Sequence, residues 1–99
     1  MSYIKGRRLE YQVRDLLKKT GDFVVRQAKS SFPDLIVIRK CTGKKFAVEC
    51  KWNGYLTQDE KIKLFELWVK YDLHPILAYK KKGKIKFKDI LFNEDVNTL

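Results

Sequence analysis

The chain reads as an α/β protein. Its expected core is one mixed five-stranded sheet flanked by helices, in the order α-β-β-β-α-β-β. Three observations carry that expectation. Residues 3–20 and 57–71 each repeat apolar side chains at helical spacing. Leu35, Ile36, Val37 and Ile38 form an unbroken apolar run, three of the four β-branched, as in a strand covered on both faces. Short strand-like blocks flank Gly43 and Gly83, which read as turns. Ninety-nine residues make a single domain, 1–99, too short for a doubly wound dinucleotide fold.

In the first helix, Leu9, Val13, Leu16 and Leu17 fall on one face. Lys18 and Lys19 suit its last turn, and Gly21 suits the position just past it. Glu10 lies about 20° from Leu17 on the helical wheel, beside the apolar stripe. A carboxylate there needs a partner. Arg14, four residues on, is one choice; a polar site on a neighbouring hairpin is the other. Lys5, Arg7 and Arg8 line the same end of the helix and can meet phosphates. Residues 22–27 read as the first strand, and the loop over 28–32 brings Lys29, Ser30 and Ser31.

The hairpin that follows organises the chain. After Leu35–Ile38 and a turn at Thr42 and Gly43, Phe46, Val48 and Cys50 alternate with Ala47, Glu49 and Lys51. Thr57 and Glu60 have the spacing of a capping box and open the second helix. Its apolar residues span roughly 220° of the wheel, well beyond one buried stripe. The surplus, including Leu64, Leu67, Trp68 and Tyr71, is expected to form an interface, most simply a two-fold homodimer. The alternative is a helix buried between sheet and tail. Residues 74–79 form a fourth strand, with His74 a structural histidine. Residues 80–84 make a basic turn. Lys84, Lys86 and Lys88 then line an edge strand, for phosphate binding or for protection against edge pairing. Residues 89–99 hold three acids and no base, and read as a partly ordered tail.

The chemistry concentrates at the open end of the hairpin. Asp34 stands at the mouth of one strand, and Glu49 and Lys51 share one face of the other. Two carboxylates held close repel each other, and burial raises their pKa. A divalent cation relieves both penalties, and Mg²⁺ takes one or two carboxylates plus waters and substrate phosphate. The adjacent ammonium can orient water or stabilise charge growing on a phosphate. The bland alternative is a hairpin with solvated charges. Pro33-Asp34, fourteen residues, then Glu49-Cys50-Lys51 resembles the PD-(D/E)xK nuclease signature.

Bulk properties favour a polyanionic partner. Lys and Arg outnumber Asp and Glu by 22 to 12, so ion pairing cannot absorb the net charge of +10, and nucleic acid is the first expectation. Cys41 and Cys50 are too few for a disulfide framework and read as reduced thiols. No apolar run approaches the roughly 20 residues of a membrane span, and no signal-peptide pattern opens the chain. The expectation is an intracellular, cytoplasmic protein. There is no glycine-rich phosphate loop, zinc-type Cys/His spacing or Ser-His-Asp set, hence no nucleotide cofactor.

Residues 5–89 together resemble an archaeal-type Holliday junction resolvase of the restriction-endonuclease-like superfamily. The matching features are Gly6 with Glu10, residues 21–26, the serine-bearing loop at 28–30, Asp34, Glu49 and Lys51, and the later helix followed by a proline-containing strand. The resemblance implies a dimeric endonuclease that needs Mg²⁺, with Mn²⁺ able to substitute. It would nick four-way DNA junctions in symmetric pairs. It implies that Asp34, Glu49 and the backbone carbonyl of Cys50 hold the metal, with Glu10 completing the acidic cluster. Lys51 would orient the attacking water, and Arg26 and Ser30 would contact the scissile region. One position departs: Tyr11 follows Glu10 where the family usually has arginine. Two other readings use the same residues. One is a PD-(D/E)xK nuclease for other branched or duplex DNA; the other is a non-enzymatic basic DNA-binding module.

Overall fold

In the computed structural model, residues 2–27, 32–96 and 99 are described, with side chains from Arg7 onward. The elements are α1 (Ser2–Lys18), β1 (Phe23–Arg26), β2 (Leu35–Ile38), β3 (Lys45–Cys50), α2 (Gln58–Tyr71), β4 (His74–Lys81), β5 (Lys84–Asp89) and β6 (Glu94–Val96). They form one sheet in the order β1-β2-β3-β4-β5-β6. Only β3 and β4 run parallel, joined by the crossover through α2; the other pairs are antiparallel. The sheet is therefore mixed, as expected, with six strands rather than five.

Each face of the sheet has its own core. Leu9, Val13 and Leu17 of α1 pack with Leu35, Val37, Phe46, Val48, Cys50, Ile76, Ala78 and Phe87. Ala47 and Leu77 face the other way and pack with Leu56, Leu64 and Leu73 beneath α2. The alternation in β3 thus sends Phe46, Val48 and Cys50 under α1, and Ala47 under α2. Leu16 corrects the sequence reading of α1. It lies at the margin of the stripe centred on Val13 and is 40% exposed. Glu10 occupies the opposite margin.

Two glycines turn the chain at positive φ, where a side chain would be strained and would crowd a neighbour. Gly21 ends α1 at φ +87, and a Cβ there would meet Lys40 Cδ at 3.2 Å. Gly54, at φ +77 before α2, lies against the Tyr79 ring, where a Cβ would come within 3.2 Å. The capping box forms as its spacing requires. The Thr57 hydroxyl accepts the Glu60 N–H, and Glu60 Oε1 accepts the Thr57 N–H at 2.9 Å.

The sixth strand comes from the expected tail. Asp89 ends β5, and its Oδ1 accepts the N–H groups of Leu91 and Phe92, which turns the chain back. Glu94–Val96 then pairs with Phe87, Lys88 and Asp89. Val96 and Leu99 pack on the α1-side core. His74 has the structural role expected of it: Nε2 lies 2.7 Å from Asp89 Oδ2, and its ring meets Phe46 edge-on. Cys41 and Cys50 are both free thiols.

Candidate active site

The β2–β3 register sets the site. Leu35 pairs with Val48, so Asp34, one residue before β2, stands opposite Glu49. The two acids brace each other through the backbone. The Asp34 N–H donates to Glu49 Oε1 at 3.1 Å, and the Cys50 N–H donates to Asp34 Oδ2 at 2.9 Å. Each carboxylate thereby has one oxygen fixed by an amide. Such bracing holds a short acidic side chain in one rotamer, as a metal ligand requires.

Glu10 reaches this pair from α1. Its partner is Arg26, whose Nε donates to Oε1 at 3.0 Å, while Arg14 pairs with Asp15 instead. The margin position on α1 aims Glu10 at the hairpin mouth, close enough for hydrogen bonding between its carboxyl and that of Asp34. Tyr11, at the position that departs from the pattern of the resembled family, gathers two guanidiniums. Those of Arg14 and Arg26 each lie 4.8 Å from its ring centroid. Arg26 thus links the Tyr11 ring to Glu10.

The electrostatics are those of a site with too much negative charge for its burial. Burial pushes the Glu49 carboxyl up to about 8, and the charge of Asp34 adds to the shift. Burial also raises Asp34, against the Cys50 amide and Lys51, which lower it. Glu10 rises through burial and then through Asp34, with Arg26 offsetting part. Burial, and after it the acids, push the Cys50 thiol well above its ordinary range. A divalent cation between these oxygens would reverse the carboxylate shifts.

Lys51 follows β3 and continues the row of Ala47 and Glu49 on the α2 side of the sheet. Burial would lower its ammonium, but Glu60, then Glu49 and Asp34, outweigh that and raise it. Nζ pairs with Glu60 Oε2 and lies 3.9 Å from Glu49 Oε2. The sequence reading missed Glu60, having given it only the capping role. One signal was present: a cap three residues past Gly54 on a tight loop returns the first turn of α2 toward the end of β3. Glu60 divides its oxygens, Oε1 to the cap and Oε2 to Lys51.

The structure brings together Glu10, Asp34, Glu49, Cys50, Lys51 and Arg26. Arg7 and Arg8 are exposed on α1. The side chain of Lys5, and Lys29 and Ser30 entirely, lie outside the described residues. Leu64 corrects the expected interface set. It is fully buried beneath α2 because it points at Ala47 and Leu77, whereas Trp68 and Tyr71 are exposed. Leu67 packs at the margin of that core.

The donor set suits a hard cation. Asp34 and Glu49 offer carboxylate oxygens, with Glu10 behind them and the Cys50 backbone at the strand end. Among the described residues no three acid, cysteine or histidine side chains already form a cage. Mg²⁺ needs none, since it binds through one or two carboxylates and keeps its waters.

Fold and site together define the class: a restriction-endonuclease-like α/β domain carrying an acid-acid-lysine centre. No protein-family model matches the chain. Among curated proteins it is similar to the crossover junction endodeoxyribonuclease Hjc of Methanocaldococcus jannaschii. The two are 34% identical over 89 residues, 86% of this chain and 65% of that protein's length. Among solved structures it matches Archaeoglobus fulgidus Hjc, a Holliday junction resolvase from an archaeal hyperthermophile. The TM-score is 0.74 at 22% identity, covering 95% of this chain and 80% of the other. In sequence and in fold, the chain resembles the archaeal-type Holliday junction resolvases.

Proposed function

We propose that the protein is a metal-dependent endonuclease that resolves four-way DNA junctions by paired nicks. The observation that carries this reading is the braced pair of buried acids, Asp34 and Glu49, beside Lys51. Buried acids with raised pKa values destabilise a fold unless something neutralises them. A DNA-binding module without chemistry gains nothing from acids turned toward phosphates. Likeness in sequence to one Hjc and in fold to another supports the choice of junction as substrate.

The residues divide the work. Asp34 and Glu49 would hold Mg²⁺, or Mn²⁺ in its place, with the Cys50 carbonyl and Glu10 within the same cluster. Such a cation, when bound, polarises the scissile phosphate and lowers the pKa of a bound water. Lys51 orients the attacking water and offsets charge on the phosphate, with Glu60 fixing its ammonium. Arg26, held by Glu10 and Tyr11, presents a guanidinium edge beside the acids. Arg7 and Arg8, exposed on α1, would meet flanking phosphates.

A homodimer supplies the second nick. On α2, Ile62, Phe65, Trp68, Val69 and Tyr71 are all exposed, Val69 by 74%. Such a run on one short helix suits a two-fold contact, in which one patch meets its own copy. No helix among the described residues is long and apolar enough to cross a membrane.

The test is an end-labelled four-way junction incubated with the full chain in Mg²⁺, with flap and linear duplex alongside and Asp34→Asn as control. Symmetric nicks in the junction, absent from the control, are the expected result. Cleavage of flap or duplex in preference to junction would keep the chemistry and change the substrate. Tight binding with no cutting in Mg²⁺ or Mn²⁺, unaffected by Glu49→Gln, would leave only a binding module.

A further inference from the structure

The lysine hairpin of β4 and β5 is not used by the reading above. Residues 79–88 hold six lysines and no acid, in a chain whose net charge is +10. The sheet register shows where they point. Glu49 pairs with Leu77, and Leu77 pairs with Lys88, so Glu49 and Lys88 belong to one row across the sheet. The Lys51 N–H donates to the Ala78 carbonyl, one residue past the paired Cys50 and Ala78. Lys51 therefore stands beside Tyr79, and Tyr79 pairs with Lys86. Directly paired residues share a face. Lys81, Lys84, Lys86 and Lys88 consequently lie on the face that carries Glu49 and Lys51.

Distances follow from sheet geometry. Lys86 is two strands from Lys51, about 10 Å, and successive lysines along β5 are about 7 Å apart. Lys84 and Lys86 are exposed, and Lys88 half-buried. Lys80 belongs to the other face, its ammonium over the Trp52 ring at 5.7 Å. Asp95 stands opposite Lys88 and accepts the Tyr79 hydroxyl, so it offsets part of one charge.

Protection of a sheet edge does not account for this pattern. β6 covers β5 from Phe87 to Asp89, so Lys88 protects no open edge, while Lys84 and Lys86 stand beyond the covered stretch. Lys81 and Lys84 are direct cross-strand partners, and like charges so placed destabilise a hairpin. Edge protection needs a charge or two, without a repulsive pair. Three lysines on one strand, with Asp95 the one acid opposite them, run outward from beside Lys51 and match a polyanion of regular spacing.

We propose that Lys84, Lys86 and Lys88 form a backbone track for the DNA arm that leads away from the scissile phosphate. The track reads no sequence. It fixes the arm's path over the sheet and supplies affinity through counterion release. The proposal rests on DNA being the substrate of the neighbouring site, but not on which DNA structure is cut.

The experiment measures binding of the full chain to a fluorescent four-way junction in EDTA, across about 50 to 200 mM salt. The combined variant Lys84→Gln, Lys86→Gln, Lys88→Gln is compared with wild type. Each lost phosphate contact lowers the slope of log affinity against log salt by about 0.9, so the expected drop is about 2 to 3. The corresponding Lys→Arg variant keeps the wild-type slope, which separates lost charge from altered folding. Coincident slopes for wild type and the glutamine variant overturn the proposal. Cleavage in Mg²⁺ is scored separately. Wild type that binds steeply but never nicks sinks the nuclease reading and leaves the track standing; wild type that nicks, with coincident slopes, sinks the track alone.

Discussion

Glu49 is the residue on which stability and activity oppose each other. Its folded pKa, about 8, lies above the ordinary carboxylate value of 4.5. The unfolded chain therefore releases this proton first. Without metal, the contribution of Glu49 to stability is fully present below about pH 4.5 and is lost as pH rises through about 8. A bound cation inverts the trend, because it binds the ionised carboxylates and displaces the proton. Thermal melts with and without Ca²⁺ should show the larger cation-induced rise in Tm at pH 8 and a smaller one at pH 6; an equal rise at both would contradict the assignment of Glu49 as a ligand. Glu49→Gln should abolish cleavage and also raise metal-free stability at pH 8, by about 1 kcal/mol or more, as at other strained functional sites. Glu60 makes a different case. Glu60→Gln keeps the cap, since Gln also serves at that position, but removes the charge that fixes Lys51. The expected result is an unchanged Tm with cleavage down roughly tenfold, on the scale of a displaced general acid–base group. Asp34, Glu49 and Lys51 were legible from the sequence because strand alternation and a short spacing carry them. The Glu60 contact was not, because it depends on how a loop returns α2 to the sheet.

At the scale of elements, α2 carries two kinds of apolar residue that the sequence cannot tell apart. Its pattern exposed a surplus, but Leu64 and Trp68 look alike on a wheel that spans more than half a turn. The sheet decides between them: Leu64 meets Ala47 and Leu77, and Trp68 faces outward. Leu64→Ala should cost about 2–5 kcal/mol in denaturant unfolding, as for a buried leucine that leaves a cavity. Trp68→Ala combined with Val69→Lys should leave the fold intact and shift the oligomeric state to monomer, read by light scattering. A dimer that survives both changes would move the interface elsewhere. The C-terminal strand shows the other limit of sequence reading. Glu94, Asp95 and Val96 offer one apolar residue and no alternation, so no periodicity marks them. Their pairing comes from Asp89, whose carboxylate holds the turn before them. By contrast α1, the β2–β3 hairpin and the capping box were legible because each rests on local spacing alone.

For the whole molecule, the proposed two-fold arrangement makes a claim that neither residue nor element makes alone. Among the described residues one chain has one acidic cluster, and on the proposed reading one cluster would cut one strand. Resolution of a junction needs two cuts before the complex dissociates, so it needs two working clusters held in one particle. Mixing wild-type chains with Asp34→Asn chains tests this directly. At equal input and free exchange, about a quarter of the dimers are wild type, about half are mixed and about a quarter are inactive. A supercoiled plasmid with an extruded cruciform separates the outcomes. Paired cuts linearise it, and a single cut leaves a nicked circle. The mixture should therefore convert linear product to nicked product, with linear yield per particle falling to about a quarter of the wild-type value. Monomers acting independently would give nicked circles first even with wild-type protein alone, and the mutant would then only dilute the rate. The excess positive charge bears on the same experiment. It lengthens the life of the complex at low salt, so the second cut should follow the first within one encounter there, and nicked circles should accumulate as salt rises.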